Sequence, residues 1–302
     1  MDSMTQRRNP MVPSSGVHSP AQLGPVASSV IAVFLWGASD FAGGCGSRRA
    51  DAFVVTAFSF ICALAAMLAF ALATHAAFPD RVSMVWALVA GAVGGFSLAL
   101  FYRALATGLM GLSAPIGALL GAAIPTLVDI ALEGAPGRWS IGGFALAMVA
   151  IWLITRPEAA VGNDPAGHPK GVALAALSGV GFAGFYLCIH QAAGSPIWIA
   201  AISRVGALLA TVIAIAAFRS PVALDRSAAA LAAVAGVCDV VASALFISAS
   251  QHGRLDEAVV ITSLYPAVTV LLARVVLKEH FSRWKFVGLL AALAAVPLIA
   301  AG

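Results

Sequence analysis

Ten apolar runs, each about as long as a bilayer-crossing helix, follow one another with only short polar breaks between them. They fall at residues 25–45, 53–74, 83–103, 110–131, 139–155, 169–190, 196–218, 227–249, 256–277 and 284–301. A helix crosses the ~30 Å hydrocarbon core of a bilayer with about 20 residues, so the runs set the solvent before anything else is known. Composition agrees. The 302-residue chain is 61% hydrophobic and 10% charged, with a mean hydropathy of +0.97, whereas soluble domains carry roughly 25% charged residues. In lipid every backbone polar group must be paired within the protein, which leaves helices or a closed barrel. Continuous runs without period-two alternation exclude the barrel. The expected fold is an all-α integral membrane protein with ten transmembrane helices, multi-pass in the cytoplasmic (inner) membrane.

The same figures exclude intrinsic disorder and a secreted disulfide scaffold, because Cys45, Cys62, Cys188 and Cys238 lie in or beside apolar runs and read as small core residues. The net charge of +4 comes from Lys and Arg scattered among short loops, not from a clustered basic groove, so nucleic acid is not an expected partner. Residues 1–24, with Arg7, Arg8, Pro10, Pro13 and Pro20 and no hydrophobic period, are expected to be a disordered tail. The first apolar run continues past Trp36 to Phe41, which speaks against a cleaved secretory signal. A polar linker at 157–168, containing Asn163, Asp164, Pro165 and Gly167, divides residues 25–156 from 169–302, five runs from five.

Across that linker the chain resembles itself. Ala90-Gly91 matches Ala235-Gly236, Leu100-Phe101 matches Leu245-Phe246, Gly108 matches Gly253, Arg138-Trp139 matches Arg283-Trp284 and Gly143 matches Gly288, each pair 145 residues apart. Nearer the start the register slips: Phe41-Ala42-Gly43 answers Phe182-Ala183-Gly184, and Ser59 with Ala63-Leu64 answers Ser203 with Ala207-Leu208. Duplicating a unit with an odd number of spans turns the second copy upside down in the membrane. Two inverted five-helix repeats of this kind are the plan of many secondary transporters, whose substrate site lies near the midplane between the halves.

Phe101-Tyr102-Arg103-Ala104-Leu105-Ala106, Ala114-Pro115-Ile116, Pro125 and Glu133 resemble the third and fourth spans of the EamA-type transporters in the drug/metabolite transporter superfamily. Ser263-Leu264-Tyr265-Pro266-Ala267-Val268-Thr269, with Arg274, Glu279 and Gly288 beyond, is similar to that family's ninth-span signature, and Trp36-Gly37-Ala38-Ser39-Asp40-Phe41 to its first-span opening. The resemblance covers about residues 25–302. It implies ten helices in two repeats, export or exchange of a small metabolite, amino-acid-like compound or drug, and no enzymatic activity. The chain departs from the pattern in the second span, which has Ser59 where an arginine is common while the second copy keeps Arg204, and in Gly121, where the second copy has Pro266.

Charged side chains cost roughly 2.5–3.5 kcal/mol at the centre of a membrane helix, so each must face protein or a water-filled cavity. Asp239 lies midway along the eighth run, on a helical face with Gly236, Ser243 and Phe246, and Arg204 lies about nine residues into the seventh. Two readings stand side by side: a buried Asp239–Arg204 pair that locks helices together, or an Asp239 that carries protons or binds substrate. Asp40, Arg103 and Arg274 belong to runs that end on one side, and two arginines over one acid make a mouth attractive to a carboxylate or phosphate; the alternative is that both arginines snorkel to lipid headgroups. Asp129 also lies near the end of its run. Trp36, Tyr102, Tyr186 and Tyr265 are candidates to line a substrate pocket, or to anchor the chain at the headgroup level. The many glycines favour close helix packing, and Pro115, Pro125 and Pro266 are placed to interrupt helices near a site.

No nucleotide-binding motif, zinc spacing or nucleophile elbow is present in the sequence, so no cofactor or metal is expected and transport would draw on an ion gradient, a proton among the candidates, or on the substrate's own gradient. The expected partners are a small-molecule substrate and the lipid bilayer, with the chain acting as a monomer or homodimer. The competing reading is a membrane-embedded enzyme or assembly factor, which requires a convergent acid, base or metal cluster. Lys and Arg are more numerous on the side opposite the amino terminus. The positive-inside rule then puts the termini outside, whereas the family resemblance implies both termini in the cytoplasm.

Overall fold

The computed structural model describes residues 20–106, 110–155, 169–276 and 283–300; the linker at 157–168 and most of the expected tail lie outside them. The described residues form eleven α-helices and no strand: α1 (Pro20–Ser47), α2 (Ala52–Ala73), α3 (Arg81–Ala106), α4 (Met110–Glu133), α5 (Arg138–Thr155), α6 (Pro169–His190), α7 (Pro196–Phe218), α8 (Arg226–His252), α9 (Leu255–Thr262), α10 (Tyr265–Val276) and α11 (Arg283–Ala300). The first eight apolar runs and the last each correspond to one helix, while the ninth is divided between α9 and α10. Six helices, α1 to α3 and α6 to α8, are long and apolar enough to cross a membrane, and α5 and α11 contain shorter apolar segments. The chain is a multi-pass helical membrane protein. α1 begins at Pro20, ahead of the first apolar run. Proline is favoured in a helix's first turn, where its missing N–H would have had no intrahelical partner.

Local chemistry sets several helix ends. The Asp51 carboxylate accepts from the Phe53 amide at 3.0 Å, and Asp225 caps α8 through the Ala228 amide. Asp80 accepts from the Ser83 amide at 2.8 Å and from its hydroxyl at 3.1 Å, and the amide bond above all holds Asp80 below the usual carboxylate range. At the other ends, Gly134 (φ 89°) follows α4, and Arg219 takes a left-handed conformation (φ 51°) to close α7. The division of the ninth run falls at Ser263-Leu264, just before Pro266, whose ring nitrogen cannot donate back to the preceding turn. Pro125, by contrast, lies within an unbroken α4.

The helices pack with one half of the chain laid against the other. α1 lies along α8 and α10, α2 along α7 and α8, α3 along α6 and α7, α4 along α6 and α9, and α5 along α11. The outward faces stay apolar, with Ile213 67% and Leu293 64% exposed, so hydrocarbon alone does not tell a helix which face to bury. Small residues do. A Cβ on Gly91 of α3 would collide with the Ser203 backbone of α7, and a Cβ on Gly236 of α8 would collide with the Ser59 backbone of α2. Gly91 and Gly236 are matched positions in the sequence repeat, and so are Ser203 and Ser59.

These contacts predict opposite outcomes for one kind of substitution. Gly→Ala ordinarily favours a helix by about 1 kcal/mol, and Gly142, with open space around it, should show that gain. Gly91→Ala and Gly236→Ala should instead lose roughly 1–3 kcal/mol through overpacking. Thermal melting of the purified variants in detergent checks this, and equal melting temperatures for all three would refute the packing assignment.

Candidate functional site

A cavity opens between the two halves of the chain. Its lining comes from single faces of seven helices: Trp36 and Asp40 of α1, Phe60 of α2, Gly94 and Leu98 of α3, Phe182, Phe185 and Tyr186 of α6, Arg204 of α7, Asp239 and Ser243 of α8, and Tyr265 of α10. The pairs on α1, α3 and α8 are each four residues apart, one helical turn on the same face.

The polar centre is built around Arg204. Its Nη1 donates to Asp239 Oδ2 at 2.5 Å and its Nη2 to Ser243 Oγ at 2.8 Å, while the guanidinium carbon lies 5.5 Å from the centroid of the Phe60 ring. Trp36 Nε1 donates to the other Asp239 oxygen at 3.1 Å. One carboxylate thus joins α1, α7 and α8, and both of its oxygens are engaged. Arg204 Nε is buried without a hydrogen-bond partner. Trp36 also packs against the rings of Tyr186 and Phe246, at centroid distances of 6.1 and 5.7 Å.

Asp40 is the second buried carboxylate in the lining. Its partner is the hydroxyl of Tyr102 on α3, which also lies 3.5 Å from the Ser39 carbonyl. Tyr102 fits there because Gly43 has no side chain; a Cβ on Gly43 would occupy the space of the phenol. Tyr102 therefore stands behind the cavity wall. Tyr186 and Tyr265 lie in the lining itself.

Of the residues expected at a basic mouth, Arg103 lies apart from Asp40. Arg103 is exposed and turned away from Asp40, its guanidinium 5.7 Å from the centroids of both Phe53 and Phe218, which stack on each other at 5.3 Å. The reason is helical: Tyr102 and Arg103 are neighbours on α3, so when Tyr102 faces inward Arg103 points about 100° away. Arg274 belongs to α10, and its side chain lies outside the described residues. Asp129 serves elsewhere. Its Oδ2 accepts from the Asp256 amide at 2.9 Å, and Asp256 pairs with Arg254 at 3.0 Å.

Sequence reading singled out Trp36, Asp40, Tyr186, Tyr265, Arg204 and Asp239, with Ser243 on the face of Asp239, and missed Phe60, Gly94, Leu98, Phe182 and Phe185. The repeat held the missing signal. Subtracting 145 from Asp239 and Ser243 gives Gly94 and Leu98, and the Ser203–Ser59 register carries Arg204 onto Phe60. All three matched positions line the cavity. At these three matched positions the second-half residues are charged or polar, whereas Phe60, Gly94 and Leu98 are not.

A buried ion pair and a cavity inside a bundle of apolar helices fit a polytopic membrane protein. Residues 169–301 match the EamA-like transporter family, which supports the resemblance seen in the sequence over that part of the chain. The EamA family is one of membrane transporters in the drug/metabolite superfamily. A solved structure described only as a crystal structure of a protein superposes with a TM-score of 0.73 and 18% identity, covering 93% of this chain and 98% of that one; at such identity the likeness shows a common fold. No curated protein matches the chain.

Removing one member of the central pair should be costly. Asp239→Asn leaves Arg204 buried with its charge uncompensated, which destabilises by roughly 3–5 kcal/mol, whereas replacing both with apolar residues, Arg204→Met with Asp239→Leu, should recover most of that loss. Thermal melting in detergent distinguishes these outcomes. An Asp239→Asn protein as stable as the parent would show that the pair does not hold the helices together.

Proposed function

We propose that the protein is a secondary transporter that moves a small metabolite, amino-acid-like compound or drug through the inner membrane by alternating access, as an exporter or exchanger. The observation that carries this reading is the cavity lined from both halves of the chain, with its only charges, among the described residues, at Asp40, Arg204 and Asp239. Charges at such depth are expensive unless they serve a pathway or a pair.

The two halves, residues 25–156 and 169–302, act in this reading as inverted five-helix repeats. Exchange α1 with α6, α2 with α7, α3 with α8, α4 with the α9–α10 pair and α5 with α11, and the packing list maps onto itself: α1–α8 becomes α6–α3, α2–α8 becomes α7–α3, and α4–α6 becomes the contact of α1 with α9 and α10. In a ten-span arrangement the cavity then lies where the repeats rock against each other. The interruption at Ser263-Leu264 is next to a lining residue, Tyr265, and gives one repeat a point of bending that unbroken α4 does not have. Driving force comes from an ion gradient or from exchange, with Asp40 and Asp239 as the acids available to a proton. Trp36, Tyr186 and Tyr265 contact the substrate, and Tyr102 positions Asp40.

Metabolite profiles of medium from overexpressing and deleted strains should differ in one or a few compounds, and those compounds should move in proteoliposomes of the purified protein. Identical profiles, together with no flux under any imposed gradient, would rule out transport. Both termini lie in the cytoplasm in this reading. An alkaline phosphatase fused after Gly302, active only in the periplasm, should therefore be silent, and an active fusion would invert the topology.

A further inference from the structure

We propose that the cavity selects organic cations: small amphipathic molecules with a single positive charge on an aromatic or hydrocarbon body. The inference rests on the transport reading above and names the substrate class of that same site. It starts from charge. Two carboxylates, Asp40 and Asp239, line the cavity, against one cation, Arg204, among the described lining residues. Arg204 is already committed: Asp239 and Ser243 take its two terminal nitrogens and Phe60 lies against its guanidinium. Asp239 has both oxygens engaged, by Arg204 and Trp36. Asp40 has the Tyr102 phenol as its partner and no described cation beside it. The described lining thus holds one acid more than it holds bases, and Asp40 is the acid left without a basic partner.

The walls suit the same ligand. Six of the twelve lining residues are aromatic, Trp36, Phe60, Phe182, Phe185, Tyr186 and Tyr265. Aromatic faces attract a cation through the ring quadrupole, more strongly once water is excluded. Asp40 and Trp36 share a face of α1, one turn apart, so an ammonium that reaches the carboxylate also reaches aromatic surface. The rest of the molecule has Leu98, Phe182 and Phe185 to lie against. An anion would meet Asp40 with no free cation among the described lining residues to receive it. The carboxylate or phosphate expected from an Arg103–Arg274 mouth is therefore replaced by a ligand of opposite sign, because Arg103 faces Phe53 and Phe218 instead.

Three probes of one shape test the claim: phenethyltrimethylammonium, 3-phenylpropanamide and 3-phenylpropionate, titrated calorimetrically into the purified full-length protein in detergent. The cation should bind at least tenfold more tightly than the amide, and the anion most weakly. Asp40→Asn should abolish the preference for the cation, and Asp40→Glu should restore part of it; monodisperse elution and a parental melting temperature show which variants are folded. If a variant does not fold, the ranking of the three probes on the parent protein still decides. Equal or tighter binding of the amide or the anion overturns the proposal, as does a cation preference that survives in folded Asp40→Asn. If no probe binds and proteoliposomes carry an anionic or neutral metabolite, the cation assignment fails while transport stands. If no probe binds and nothing is carried, the transport reading fails and the assignment falls with it.

Discussion

Two apolar helices in lipid gain nothing by hiding hydrocarbon from each other, since the tails around them are equally apolar. Association must come from close contact and from polar groups that have no other partner. This constraint explains why glycine and serine occupy the interfaces here while Ile213 and Leu293 face outward. Gly91 against Ser203 and Gly236 against Ser59 bring backbone onto backbone. Ser39 Oγ donates to the Ala235 carbonyl at 2.9 Å and Ser140 Oγ to the Ile299 carbonyl at 3.0 Å, each joining helices from opposite halves of the chain. Such contacts set the spacing of α2, α3, α7 and α8, and that spacing leaves the cavity.

Within this frame the Arg204–Asp239 pair both closes the centre and makes it asymmetric. Duplication by itself would give two like walls. Here Arg204 faces Phe60, its match in the first half, while Asp239 and Ser243 have Gly94 and Leu98 as theirs. At these positions the second half is charged or polar and the first half is not. The pair neutralises itself, and Asp40 lies outside that symmetry, its own match in the repeat being Gly181.

The second asymmetry lies in the ninth run. α4 passes through its length as a single helix, whereas its counterpart is split at Ser263-Leu264 ahead of Pro266. The start of α9 is held from α4, through Asp129 and the Asp256 amide, with Arg254 bound to both Asp256 and the Gly134 carbonyl. One end of the split segment is therefore anchored to the other half of the chain, and the break itself adjoins the cavity at Tyr265.

The sequence by itself determined the solvent, the number and placement of the apolar runs, and the duplication, because each depends on composition and spacing along the chain. It also picked out Asp239, Arg204, Asp40, Trp36, Tyr186 and Tyr265, since an ionisable or amphipathic residue in a lipid-length run is conspicuous on energetic grounds. Tertiary structure alone decided which of them meet. That Asp239 pairs with Arg204 depends on how α7 and α8 are turned, and glycine contacts hold α7 against α3 and α8 against α2. Arg103 and Tyr102 are adjacent in sequence yet face Phe218 and Asp40 in turn, a divergence that follows from the helical step and from which neighbour α3 packs against. Phe60, Gly94 and Leu98 were invisible as site residues because an apolar side chain in an apolar run carries no signal until a charged partner is placed across from it.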